Sequence, residues 1–338
     1  MFVWGDVTQW RDWNIDWASI DLFIGGSPCQ GFSAAGKQGG TKAELNGEIT
    51  VVSDRETYLE MKELGAKFLS HSYLFWEYVL LLDHIKQHNP NVKFMLENVK
   101  MSQSNTDMIT NTLEVEPVVI NSALVGAQNR VRYYWANWEF GQPENENVFI
   151  KDIIEEEVDS KYYLTEEQVS KIDLSKLGEY IKKDIKILGH RIGYRRNLQV
   201  YDVEGKTETL DTCTGGGRHP HMLVKCVAQG GRNIVDGKRV DYKGAPTVQR
   251  LEPRTDGKTN CLTTVQKDNY VFEFDGETYA IRRFTPLECE RLMTLSDYYC
   301  HVFDENGKQL VSNSQMYKAL GNGWSRKVIT HIFKHLDF

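Results

Sequence analysis

The sequence predicts an α/β fold, with a parallel sheet in its first third and a smaller β-rich segment further on. Three observations carry that prediction. The apolar runs Leu22-Phe23-Ile24 and Phe94-Met95-Leu96 read as short buried strands that end in glycine or polar residues. Between them Tyr73 to His88, YLFWEYVLLLDHIKQH, reads as a helix that stops at Asn89-Pro90. From about 187 to 280 the chain turns to Gly, Thr and short β-type runs. Strand, helix, strand implies a right-handed crossover between parallel neighbours. In such sheets ligands gather at the carboxyl ends of the strands, where Cys29 and Glu97 fall.

The remaining elements follow in order. Residues 34 to 70 are rich in Gly, Lys and Glu, with a weak helical pattern near Tyr58 to Phe68, and are expected to form a mobile cover over Cys29. Val131 to Trp138, VRYYWANW, is a third strand, followed by an acidic, loop-prone stretch through Glu155-Glu156-Glu157. EGKTETLDTCTGGG (204 to 217) loosely echoes DGKTNCLTTVQ (256 to 266), which suggests two related hairpin-like pieces. FTPLECERLMTL (284 to 295) opens on a Thr-Pro cap, Ser325 to Leu336 closes the chain, and both helices are expected to pack on the first domain. The domains so drawn are 1–150, 151–280 and 281–338.

Composition narrows the function. The 338 residues are 41% hydrophobic and 26% charged, enough to bury a core. No apolar run reaches a membrane span and MFVWGDVTQW is not a signal peptide, so a cytoplasmic protein is expected. A net charge of −7 opposes general adhesion to nucleic acid, but Ile181 to Val200 holds six Lys or Arg against one Asp. That stretch reads either as a solvated face or as a local DNA-facing one. The six cysteines (Cys29, Cys213, Cys226, Cys261, Cys289, Cys300) contain no C-x-x-C pair, so no disulfide framework is expected. Cys213, His219, His221 and Cys226 lack the tight pairing of a zinc site, and no metal is expected.

The chemistry centres on GGSPCQGFS, Gly25 to Ser33. A turn of backbone N–H groups at a strand end lowers a thiol's pKa, and proline stiffens the turn. Alone, a turn cysteine is as readily structural. The zinc deaminase pattern fails, because Phe32 stands where P-C-x-x-C needs cysteine and no H-x-E occurs. Glu97-Asn98-Val99 supplies a carboxyl at the next strand end, which in its protonated form donates to a ring nitrogen while a thiolate attacks the ring. Gln128-Asn129-Arg130-Val131-Arg132 sets two arginines two apart, which on one strand share a face suited to a carbonyl oxygen or phosphates. Each piece also has a plain structural reading, Glu97 as a helix cap and the arginines as surface charge.

In this order the pieces resemble the DNA (cytosine-5) methyltransferases, through GGSPCQGFS, SYLFWEY (72 to 78), ENV (97 to 99), QNRVR (128 to 132), RRFTPLECERLMTL (282 to 295) and ALGNGWS (319 to 325). The resemblance implies a Rossmann-like methyltransferase sheet and, in the β-rich middle, a target-recognition domain. It implies that Cys29 adds to carbon 6 of a flipped cytosine and that Glu97 contacts ring nitrogen 3 and the exocyclic amine. Arg132 would hold the base carbonyl, with Arg130 in support. Asp6, Pro28, Gln30, Asn322 and Ser325 fall toward S-adenosylmethionine, and Gln30 and Ser33 where a mobile loop meets duplex DNA. Arg191, Arg195, Arg196 and Arg218 are candidate DNA contacts.

The chain departs from that family in one respect. The F-x-G-x-G strand and the ribose-binding acid of the next strand are not in it, so S-adenosylmethionine is expected to bind poorly without strands from a second polypeptide, unless the reading is truncated or the copy decayed. A non-catalytic DNA-binding remnant and an RNA cytosine methyltransferase stay open as alternatives. So does the biological role, whether restriction-modification, self-protection of a mobile element or an orphan mark.

Overall fold

A computed structural model describes residues 5–28, 42–167, 187–190, 199–201, 225–235, 238–239, 247–254, 256–262, 269–274 and 279–337. In chain order the strands and helices begin with β1 (Leu22–Gly26), β2 (Lys42–Leu45), β3 (Glu48–Val51), α1 (Arg55–Glu63), β4 (Lys67–Phe68), α2 (Leu74–His88), β5 (Lys93–Val99) and α3 (Gln103–Leu113). There follow β6 (Pro117–Asn121), β7 (Gln128–Asn129), β8 (Val131–Ala136), β9 (Ile187–His190), β10 (Gln199–Tyr201), β11 (Lys225–Val235), β12 (Lys238–Arg239) and β13 (Thr247–Pro253). The last are β14 (Thr259–Asn260), β15 (Asn269–Phe274), β16 (Tyr279–Arg283), α4 (Pro286–Leu292), α5 (Asn313–Asn322) and α6 (Arg326–Phe333). The chain divides into two compact units, Met1–Asn121 with Val131–Gln142 and Thr330–Phe338, and Ser122–Arg130 with Pro143–Ile329.

The first unit is built on a four-stranded sheet of order β1-β5-β8-β6. β1 and β5 are parallel neighbours in register from Leu22↔Lys93 to Gly26↔Glu97. β8 runs antiparallel to both β5 and β6, so the sheet is mixed. The crossover helix α2 matches the expected helix to within a residue. It carries apolar residues almost all round and buries Phe75, Trp76, Val79, Leu82 and Ile85 in one core with Phe94 and Leu96 of β5. Asn89 ends it, its backbone N–H bonded to the Ile85 carbonyl and its side chain to Ile20.

Residues 42–70 of the stretch expected as a mobile cover carry regular structure in place of a loop. They form an antiparallel sheet of order β3-β2-β4 with α1 attached. A two-residue Asn46-Gly47 turn, both residues at positive φ, closes the β2–β3 hairpin. Asp54 accepts from the Thr57 N–H and so starts α1 three residues before the sequence pattern does. Ala43, Val52 and Tyr58 are fully buried, so hydrophobic packing holds this segment in place.

One carboxylate fastens α1, α2 and the amino-terminal turn Val7–Asp12 together. Glu77 of α2 is fully buried. Its Oε2 accepts from Trp10 Nε1 at 3.0 Å and faces Arg11 at 3.5 Å, while its Oε1 accepts from the Tyr58 hydroxyl at 2.6 Å and from Lys62. Burial pushes its pKa up, but the bonds from Lys62, Tyr58 and Trp10 outweigh burial and leave it below the ordinary glutamate value.

In the second unit β11 is central, pairing with β12, β13 and β15, and β16 extends the sheet beyond β15. This fits the expected β-rich middle. The first half of the sequence echo (204 to 217) and Arg191, Arg195, Arg196 and Arg218 lie outside the described residues. Thr285 and Glu288 form a reciprocal capping box for α4, with Pro286 in its first turn. Glu288 also pairs, fully buried, with Arg282.

Cys289 and Leu292 of α4 pack with Ala127, Ile150, Phe284 and Tyr317 in the core of the second unit, which takes in Ala127 and Ile150 from the stretch drawn as the first domain. The last segment, Thr330–Phe338, does belong to the first unit, where Trp138 Nε1 donates to the Ile332 carbonyl. Among the described residues no helix is long and apolar enough to cross a membrane.

Replacing Glu77 by Ala should cost roughly 3 kcal/mol by orphaning the buried donors of Trp10 and Tyr58, measured by urea unfolding at neutral pH. Because the folded-state pKa of Glu77 is depressed, its contribution is present above the unfolded-state value and is lost as pH falls through the folded-state one. Glu77→Gln should therefore flatten the acid limb of the stability profile.

Candidate active site

β1 and β5 end side by side, with Gly26 opposite Glu97. Neighbouring strands lie roughly 4.8 Å apart, so a chain leaving β1 emerges next to the Glu97 carboxyl. The floor under this exit is aromatic. Phe23 stacks on Tyr78 of α2 with centroids 4.7 Å apart, and a Cβ at position 25 would meet the Tyr78 ring at 2.9 Å. Gly25 is thus required by close approach.

Beyond Gly26 the backbone is held from two sides. Asn98 Nδ2 donates to Ser27 Oγ at 2.9 Å, and the Ser72 hydroxyl donates to the Pro28 carbonyl at 3.0 Å. Both side chains are buried. In the sequence both residues stand only as members of the motifs ENV and SYLFWEY, and nothing local marks Ser72 for a contact 44 residues away. Cys29, Gln30 and Ser33 follow directly in the chain and lie outside the described residues.

Glu97 is 8% exposed, and its Oε1 pairs with Arg132 Nε at 3.0 Å. Register explains the contact. Val99 opposes Arg132 and Glu97 opposes Tyr134, so Arg132 reaches Glu97 diagonally across the antiparallel β5–β8 ladder. The guanidinium expected to hold a base carbonyl thus also orients the carboxyl beside it.

Arg130 and Arg132 do not share a strand face as expected. Arg130 falls between β7 and β8, where the chain passes from the second unit to the first. Its guanidinium, 4% exposed, donates to the carbonyls of Gly323 at 2.7 Å and Gly321 at 3.4 Å and contacts Cys261 Sγ at 3.1 Å. These carbonyls end α5, so the cation sits at a helix carboxyl terminus. β7 is fixed by parallel pairing to β14, and Lys258 Nζ donates to the carbonyls of Ala123, Gly126 and Val148 just beside it.

The other expected ligand residues are described by their local surroundings in each unit. Asp6 is exposed and caps the turn Val7–Asp12, Oδ1 accepting from the Thr8 N–H and hydroxyl, and these bonds hold its carboxyl below the usual range. Asn322 is exposed, between the two glycines that Arg130 grips. Ser325 is buried and lies 3.3 Å from the Thr294 hydroxyl, bracing the start of α6. A cleft of about 860 Å³ lined by Val118, Ala136, Trp138, Phe140 and His335 opens where β8 ends, away from Arg132 at its start.

Fold and motif order together define a methyltransferase of the α/β class. The family model for C-5 cytosine-specific DNA methylase matches residues 2–337, and the chain belongs to that family. Orphan methyltransferase M.SPBetaI of Bacillus phage SPbeta is 26% identical over 405 residues, covering 98% of this chain and 85% of the relative. Orphan methyltransferase M.SPRI of Bacillus phage SPR is 26% identical over 386 residues, covering 94% and 82%. Among solved structures the S. pombe Dnmt2 methyltransferase aligns over 96% of this chain and 84% of its own, with 17% identity and a TM-score of 0.43.

Arg130→Ala should release the Gly321–Gly323 turn. With charged-donor bonds worth about 1.5–3 kcal/mol each, amide exchange from Leu320 to Ser325 should quicken at least tenfold while exchange in β5 stays unchanged.

Proposed function

We propose that this chain methylates carbon 5 of cytosine in duplex DNA, with Cys29 as nucleophile, Glu97 as the acid that activates the ring and S-adenosylmethionine as methyl donor. The observation that supports the reading is the parallel β1–β5 pair, which ends Gly26, three residues before Cys29 in the chain, opposite a buried, Arg-held carboxyl. Carbon 5 of cytosine is a weak nucleophile, and covalent activation divides one hard step into easier ones. The Cys29 thiolate adds to carbon 6 as Glu97 protonates nitrogen 3, leaving an enamine whose carbon 5 takes the methyl group. Loss of the carbon 5 proton then expels the thiolate. Arg132 orients Glu97 and holds the base carbonyl. The base must leave the helical stack to be reached, at a cost on the order of a few kcal/mol.

S-adenosylmethionine, when bound, supplies the electrophilic methyl group. Asp6 fits it as an ionised acceptor for the adenine amine, and exposed Asn322 fits a polar contact. Pro28 and Gln30 adjoin the nucleophile. Ser325, buried against Thr294, fits a bracing role better than direct contact. Among the described residues β1 pairs with β5 alone, and Ile24 on it is 37% exposed. That edge supports the addition of further strands that complete the cofactor pocket, whether from a second polypeptide or from more of the same one. The β-rich second unit supports duplex DNA over RNA as the substrate, and the orphan designation of the relatives supports a mark made without a paired nuclease.

Trapping on duplex DNA containing 5-fluorocytosine tests this, with S-adenosylmethionine and with or without a strand-bearing partner. The wild type should form a covalent adduct, Cys29→Ala none, and Glu97→Gln should slow it by about 10²–10⁴. No adduct under any complementation would leave only a binding role. Calorimetry should show weak cofactor binding by the chain alone, and micromolar affinity without a partner would refute the need for one.

A further inference from the structure

We propose that Ser72 is a positioning residue for Cys29, acting through the Pro28 carbonyl. The inference rests on the reading of Cys29 as nucleophile. Ser72 is fully buried in the turn His71–Tyr73 that leads into α2, and its hydroxyl donates to the Pro28 carbonyl across a sequence separation of 44 residues. Helix capping does not account for it. The turn is capped by Ser70, whose side chain accepts from the Ser72 N–H, and α2 begins with no side-chain cap.

The contact suits a positioning role. Proline has φ fixed near about −65° and no N–H, so its carbonyl is its sole backbone hydrogen-bonding group. That carbonyl shares a planar peptide unit with the Cys29 N–H. Holding the oxygen sets the plane, and the plane sets the direction in which the chain enters residue 29. Asn98 fixes the preceding residue through Ser27 Oγ. Ser72 thereby transmits the rigidity of α2, with Phe75, Trp76 and Val79 in the core, to the start of the catalytic turn.

The test uses the full chain and iodoacetamide, following alkylation of the Cys29 peptide by mass spectrometry from neutral to alkaline pH, with Cys29→Ala to assign the peptide. Loosening the turn weakens the backbone dipoles that favour the thiolate. Ser72→Ala should therefore slow Cys29 alkylation at neutral pH roughly three- to tenfold, the ratio one net hydrogen bond gives, and raise the midpoint of the pH profile. Ser72→Thr, which keeps the hydroxyl, should restore both. Amide exchange across α2 and β5 reports loosening of the first unit, to which Ser72 belongs, and faster exchange throughout both in Ser72→Ala would overturn positioning in favour of plain destabilisation. An unchanged Cys29 rate and midpoint in Ser72→Ala would overturn the proposal alone. A wild-type Cys29 that titrates near the ordinary thiol value of about 8.5 would overturn the nucleophile reading itself.

Discussion

The parallel pairing of β1 with β5 is the constraint on which the site depends. Because the strands run the same way and are in register to Gly26↔Glu97, both chains leave the sheet at one end, a strand spacing apart. An antiparallel pair would send them to opposite ends. The pairing in turn depends on α2, whose buried face covers the sheet and whose Tyr78 ring closes on Gly25. The same helix is preceded by the hydroxyl that grips Pro28 and carries the carboxylate that gathers α1 and the amino-terminal turn. Core packing and site geometry are therefore properties of one element.

Two buried carboxylates sit in contrasting surroundings. Glu77 meets four donors on four side chains, which satisfy both oxygens from within the fold. Glu97 meets Arg132 at a strand end that the chain leaves on its way to Cys29. The arginines divide in the same manner. Arg130 holds the carbonyls that end α5, and Arg132 holds the Glu97 carboxyl, although one residue lies between them. Arg130 is buried against the backbone carbonyls of one turn and the Cys261 sulfur, whereas Arg132 is paired with another ionisable side chain.

Much of this was legible in the sequence, and the rest was hidden for physical reasons. β1, α2, β5 and α4 are marked by short-range signals: an apolar run before glycine, an unbroken helical pattern before Asn-Pro, a Thr-Pro cap with Glu288 three residues on. Residues 42–70 lack a continuous apolar run, so their composition suggests a loop. The Asn46-Gly47 pair was the available hairpin signal, and it went unread. The grouping of α4 with the second unit comes from contacts between residues more than a hundred positions apart, such as Arg291 Nη1 with the Ile153 carbonyl and the Glu155 N–H with Glu288 Oε1, which no local window holds. The two arginines misled for a related reason. Strand periodicity assumes an unbroken strand, and the break at Arg130 invalidates it.

Glycine, serine and proline ahead of position 29 address one half of a conflict between rigidity and access. On the proposed reaction the nucleophile must meet its target within about half an ångström, yet a flipped base needs room that a strand interior does not give. The chain meets the first need on the amino-terminal side of Cys29, where Gly25 is pinned by Tyr78, Ser27 by Asn98 and Pro28 by Ser72. Because α2, the turn leading into it and β5 supply that hold from within the first unit, it does not depend on the glycine-containing sequence that follows from Gly31.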